Sequence, residues 1–157
     1  MGLDRPGSRA QYQVLRPGVR HRTEMYWFRI MTLDRLLCLI LGLSQGSMDR
    51  SMASENLLAG QNDLERLERI HCVIASRIIE RNEQYTSSRN DTLTAVLDNE
   101  LQKAAGSMPS KFWLVPMMKS KNSNSGTTMP FLETRRMFTQ VLHFNLLNQL
   151  HLPYLLR

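Results

Sequence analysis

The stretch Gln140 to Arg157, QVLHFNLLNQLHLPYLLR, is dominated by apolar residues at helical spacing and carries no cap, no glycine and no polar tail. A helix with so wide an apolar face needs something laid against it. That one feature narrows the possibilities to a piece of a larger helical protein, or a short relative that needs a partner. Within it Pro153 lacks a backbone donor and crowds the preceding turn, so the helix is expected to weaken or kink near His151.

The same period recurs upstream. From Arg22 to Leu41 the residues Tyr26, Trp27, Phe28, Ile30, Leu33, Leu37, Ile40 and Leu41 form a band broader than a surface helix requires, so its C-terminal half is expected to be covered on most sides. Gly42 closes that helix, and a loop rich in small and polar residues follows to about Gly60. Asn62 with Glu65 three residues on has the form of a capping box. Beyond it Leu64, Leu67, Ile70, Ile74 and Ile78 continue at three-to-four spacing. Within that helix Glu65 and Arg69 support it at i,i+4, while Arg77 and Arg81 oppose it slightly. A third helix begins near Asp91, with Leu93, Val96, Leu97, Leu101 and Ala104 on one face, and Gly106 and Pro109 end it. A fourth starts near Pro130 and runs to the end of the chain. Lys111 to Pro116 is the one strand-like run, too short for a sheet. The expected fold is all-α, an irregular bundle of about four helices forming part of a larger helical domain.

A chain of 157 residues accommodates one domain, which would bury about 70% of its unfolded surface. Residues 1–20, with Pro6-Gly7 and Pro17-Gly18, read as a disordered basic lead-in; residues 21–157 form the helical domain, with a flexible loop at about 117–129. The net charge of +6 lies in tails and loops: residues 1–22 are basic, 49–100 acidic and 103–136 basic again. Nucleic-acid binders concentrate basic residues on one face, so a solvated surface is the better reading. The longest uninterrupted apolar run, Leu36 to Leu43, has eight residues and is far short of the roughly 20 needed to span a bilayer. Cys38 and Cys72 each sit in an apolar helical run and read as free buried thiols.

No catalytic or metal-binding constellation emerges. His143 and His151 roughly share a helical face but lack a third ligand, and His71 and Cys72, adjacent on one helix, point about 100° apart and cannot act together locally. Asp34 and Arg35 interrupt an apolar helix and therefore need partners, an internal salt bridge or a cap. Phe112, Trp113 and Pro116 suit core filling or docking. The chain is expected to be no enzyme, with no catalytic, cofactor-binding or metal residues.

The stretch WFRIMTLDRLLCLILGLSQGSMD, with Trp27, Asp34, Arg35, Leu41, Gly42, Leu43 and Gly46, resembles part of the fungal-specific transcription factor domain. This is the helical middle-homology region downstream of Zn(II)2Cys6 clusters. Ser44 stands where that family usually has proline. Phe112-Trp113, Pro116, Glu133, Arg136, Gln140 and the ending Leu150-His151-Leu152-Pro153-Tyr154-Leu155-Leu156-Arg157 are similar to its later helices.

The resemblance covers about residues 22–157 and implies a regulatory region without the zinc cluster, since only two cysteines are present. It implies a nuclear protein, contacts with protein partners or with missing helices of the same domain, DNA reached only through a separate zinc-cluster module, and no membrane. It also raises the expectation of a truncated gene product. The motif residues Trp27, Asp34, Arg35, Gly42, Gly46, Trp113, His151, Pro153 and Arg157 would then be structural. Asp34 and Arg35 would hold the first helix, and the segment from His151 would dock against helices absent from this chain or supplied by a partner. The alternative is a small helical adaptor with no role in transcription.

Overall fold

The computed structural model describes residues 23–83, 91–114 and 128–155. Five α-helices follow one another: α1 (Thr23–Leu41), α2 (Glu55–Ala59), α3 (Asp63–Glu83), α4 (Asp91–Gly106) and α5 (Thr128–Leu155). Short 3-10 turns occupy Ser51–Ala53 and Ser110–Trp113. Among the described residues there is no strand, so the all-α expectation holds. Ser110–Trp113 turns as a 3-10 helix where the sequence looked strand-like. The expected 1–20 lead-in lies outside the described residues, as does most of the 117–129 loop, and α5 already begins at Thr128.

The helix ends follow from local chemistry. Gly42 adopts φ +67°, and Leu43 N–H bonds back to the Cys38 carbonyl at 3.0 Å, the six-residue closure of a left-handed helix end. Asn62 caps α3 by accepting the Glu65 N–H at 2.9 Å. Only half of the capping box forms, because the Glu65 carboxylate turns to Arg69 at 2.9 Å. The stretch expected as loop to Gly60 is partly ordered into a 3-10 turn and α2, anchored by the buried Met52.

The central helix is α3, with α1, α4 and α5 packed around it. Cys38 and Leu39 from α1, Ile74 and Ile78 from α3, Leu97 and Leu101 from α4, and Leu142, Leu146 and Leu150 from α5 form the main core. Phe28, Met31, Met52 and Cys72 fill one end, and Leu67, Ala104, Met108 and Phe112 the other.

The face of α1 turned to α3 is not the one its periodic leucines suggested. Phe28, Met31, Arg35, Cys38 and Leu39 point inward. Tyr26, Ile30, Leu33, Leu37, Ile40 and Leu41 are 47–62% exposed on the opposite side. A helix apolar all round offers two faces of equal period, and packing chose the one carrying Arg35. On α5, likewise, Met137, Val141, Phe144 and Leu155 face away from the core. No described helix is long and apolar enough to cross a membrane.

Candidate functional site

Trp27, Asp34, Arg35 and Gly46 converge on the segment that follows α1. Arg35 is fully buried and gathers acceptors instead of pairing with a carboxylate. Its Nη1 donates to the Cys72 carbonyl at 3.0 Å and approaches the Cys72 Sγ at 3.3 Å. Its Nη2 donates to the Ser47 carbonyl at 3.3 Å and to the Asp49 carbonyl. Asp34 Oδ2 accepts the Gly46 N–H at 3.0 Å, and Trp27 Nε1–H reaches Asp49 Oδ2 at 3.1 Å. A side chain at Gly46 would press on Asp34, since a Cβ there would lie 3.3 Å from Oδ1. Adjacent residues on one helix thus bind successive peptide groups of the returning chain. Neither an internal salt bridge nor a helix cap, the two contacts expected for Asp34 and Arg35, is formed by Arg35.

Asp49 is held below the ordinary carboxyl range: burial opposes ionisation, but the Ser51 N–H and Trp27 bonds outweigh it. Burial pushes the Cys72 thiol up even though Arg35 lies beside it, and burial with Asp34 pushes Cys38 up. Both cysteines are free, buried and protonated at neutral pH, which argues against thiolate chemistry.

A second polar assembly joins α3 to α5. The buried Glu68 carboxylate takes Arg135 from α5 at 2.5 Å and Arg29 from α1 at 3.1 Å, and Thr139 donates to it at 3.2 Å. Burial raises its pKa, but the Arg135 bond and the Arg29 charge prevail and lower it. One turn on, His71 Nε2 and His143 Nδ1 lie 3.1 Å apart, both rings buried. Trp113 packs on His143 at 5.0 Å between centroids. Burial, with a smaller contribution from His143, drives the His71 pKa down to about 3, and burial lowers His143 as well. At neutral pH the pair is therefore an uncharged imidazole–imidazole hydrogen bond. His143 and His151, which share a helical face in sequence, contact different helices.

Guanidinium capture of backbone recurs along α5. Arg136 Nη1 donates to the Phe112 carbonyl at 2.5 Å and the Leu114 carbonyl at 2.8 Å, and Gln140 also donates to Phe112. Arg81 from α3 donates to the Leu150 carbonyl at 2.8 Å and the Gln149 carbonyl at 3.2 Å. Gln149 is the residue whose helical donor would be the N–H at position 153, which proline lacks. α5 continues through Pro153 to Leu155, so the proline does not end the helix.

The segment from His151 docks within the chain rather than only outward. His151 Nε2 lies 3.2 Å from Asp98 Oδ1 on α4, and the Tyr154 hydroxyl donates to Asp91 at 2.8 Å with its oxygen 3.1 Å from the Thr94 hydroxyl. Leu150 is fully buried, whereas Leu152 and Leu155 stay exposed. Arg157 lies outside the described residues. The shallow open cleft lined by Asp91, Thr94, Ala95, Asp98, His151 and Tyr154 pairs a histidine with a carboxylate. Among the described residues no three of His, Cys, Asp and Glu are grouped to hold a metal.

Of the motif residues named from the sequence, Trp27, Asp34, Arg35 and Gly46 come together on the segment after α1, whereas Gly42 only ends α1 and Trp113, His151 and Pro153 lie on other elements. Sequence reasoning missed Glu68, the contacts that Arg81 and Arg135 make between α3 and α5, and the His71–His143 bond. A signal was present for Glu68: a charged residue inside an apolar period, the same sign that drew attention to Arg35.

The chain is 50% identical over its whole length to a dehydrocurvularin biosynthesis regulator of Alternaria cinerariae, of which the match covers 20%. It is 47% identical to a regulator of the same name from Aspergillus terreus, again over the whole chain and 22% of that protein. The transcription factor eupR of a Phoma species is 53% identical over 83% of this chain and 28% of its own length. The chain therefore spans about a fifth to just over a quarter of these relatives. No family model matches it. No solved structure matches it.

Proposed function

We propose that this chain works in transcription regulation in a fungus, as a helical segment that acts through packing and partner contact and performs no bond chemistry. The observation that carries this is its full-length similarity, at 47–50% identity, to one region of two proteins named as biosynthesis regulators. Transcription regulators act in the nucleus, and the proposed location follows.

The geometry supports the mechanism. The polar groups in the interior are spent on holding helices and loops together: Arg35 on the segment after α1, Arg81 on α5 and Glu68 on three helices. The outer faces of α1 and α5 are apolar and turned away from the core. Apolar patches of this extent mark contact surfaces. The natural occupants are other helices of a longer regulatory domain or a protein partner, with DNA contacted by a separate zinc-cluster module. Finer assignment to the fungal-specific transcription factor domain rests on the Trp27, Asp34-Arg35, Gly42 and Gly46 pattern.

A chimera tests the reading. The matching fifth of the Alternaria cinerariae regulator is replaced by this chain, and transcripts under that regulator's control are measured. Retained transcription is expected, with loss on Arg35→Leu. A chimera that folds and enters the nucleus but leaves transcription off would refute it. A small adaptor unconnected with transcription would give that second result.

A further inference from the structure

Between Tyr26 and Leu41 every exposed residue of α1 is a large hydrophobe. Tyr26, Ile30, Leu33, Leu37 and Ile40 follow one another at spacings of four, three, four and three. That is a/d spacing over about two heptads, with Ile30 and Leu37 at a and Tyr26, Leu33 and Ile40 at d, enough for a short two-helix seam. The residues opposite the seam, Phe28 and Arg35, are those buried against the rest of the chain, so the seam points outward without obstruction from its own core.

The flanking positions carry charge in a specific order. Arg29 falls at g and Asp34 at the e position five residues on. In a parallel pair of helices, g of one strand meets that following e of the other, so Arg29 and Asp34 from two copies are brought together, twice by symmetry. An antiparallel pair would bring g to g and e to e and lose both attractions. Both groups keep capacity for the contact. Glu68 retains Arg135 at 2.5 Å when Arg29, 3.1 Å from it, is shared, and Asp34 engages Gly46 through Oδ2 at 3.0 Å while the Cys38 thiol approaches Oδ1 at 4.0 Å.

We propose that the outward face of α1 is a self-association surface, on which two copies of this chain pair as a parallel two-helix seam. The inference extends the reading of α1 as a contact helix by naming its occupant. The five seam side chains, each about half exposed, would remove at most roughly 500 Å² per copy, the size of a small interface and consistent with a dimer of modest affinity. The outer face of α5 is a poorer seam, because Asn148 breaks its apolar row between Phe144 and Leu155.

Sedimentation equilibrium of the full chain, from low to high micromolar concentration, is the test. Wild type is expected to move from monomer to dimer. Leu37→Glu is expected to stay monomeric with unchanged helical circular dichroism, and Val141→Glu on α5 to dimerise like wild type. Leu33→Cys is expected to form a disulfide-linked dimer on mild oxidation, since d meets d only in the parallel arrangement. A wild-type monomer throughout overturns the proposal. Dimerisation that survives Leu37→Glu, or that fails in Val141→Glu, also overturns it. Crosslinking that needs both Leu33→Cys and Leu37→Cys overturns the parallel arrangement. A monomer that still functions in the chimera would sink the pairing and leave the regulatory reading standing.

Discussion

Arg81 Nη2 on α3 lies 3.2 Å from the carbonyl oxygen of Gln149 on α5, the acceptor that Pro153 leaves without a helical donor. The side chain of one helix completes the hydrogen bonding of another. The desolvation of Arg81, which lowers its pKa, is offset by its bonds to Gln149, Leu150 and Thr94. Restoring the missing N–H with Pro153→Ala should therefore make Arg81 less necessary. Arg81→Met is expected to cost about 2–3 kcal/mol in wild type, since the Gln149 carbonyl is left without a donor and the bonds to Leu150 and Thr94 are lost, and about 1 kcal/mol less in the Pro153→Ala background. Urea denaturation of the four proteins in this cycle gives the coupling. Strict additivity would show that Arg81 and Pro153 act independently.

Glu68 is the ionic junction of α1, α3 and α5, with a side chain only 4% exposed. Glu68→Gln strands two guanidinium groups against a neutral amide and is expected to cost about 3 kcal/mol, as for breaking a buried pair. Arg29→Ala removes a partner that is 39% exposed and should cost under about 1 kcal/mol. Equal losses for the two variants in thermal or urea unfolding would mean that Glu68 is not the organising member.

The helices were legible because period, caps and breaks agree: Gly42, Asn62, Asp91 and Gly106 all fall at or beside observed ends. The facing of α1 was not. Its apolar residues fill two opposite stripes, and periodicity alone carries no information about which stripe meets the core. Arg35 resolved the ambiguity, because a lone buried arginine needs acceptors and the returning backbone at Ser47 and Asp49 supplies them. The helix was legible past Pro153, but the group that satisfies the Gln149 carbonyl there was not. The compensating donor, Arg81, lies 72 positions away, and local rules about proline cannot see it.

Arg35 itself offers a direct test of that node. Arg35→Leu keeps the volume roughly apolar but leaves the part-buried carbonyls of Ser47 and Asp49 short of donors, while the Cys72 carbonyl keeps the N–H of its own helix. The expected loss is about 3–5 kcal/mol, with increased protease sensitivity at residues 44–54. Arg35→Lys should recover only part of it, because one ammonium cannot reproduce the planar fork. Full rescue by lysine would show that the charge matters and the geometry does not.

The His71–His143 bond makes acid stability the most revealing measurement. Folded His71 has a pKa of about 3, against roughly 6.5 in an unfolded chain. Between those values the unfolded state binds a proton that the folded state refuses, so stability falls as pH drops from about 6.5 toward 3. The slope contributed by one such group approaches about 1.4 kcal/mol per pH unit, and His143, also lowered, adds to it in the upper part of the window. Glu68 and Asp49, both held low, add their own losses only near and below the ordinary carboxyl range of about 4. Urea midpoints measured from pH 7.5 to 5 therefore isolate the imidazoles. Wild type is expected to weaken steadily over that range. The double substitution His71→Phe and His143→Phe removes both titrating rings while keeping aromatic volume beside Trp113, and its stability should be nearly flat there. A wild-type profile that is already flat above pH 5 would mean that the two rings are solvated and not buried against each other.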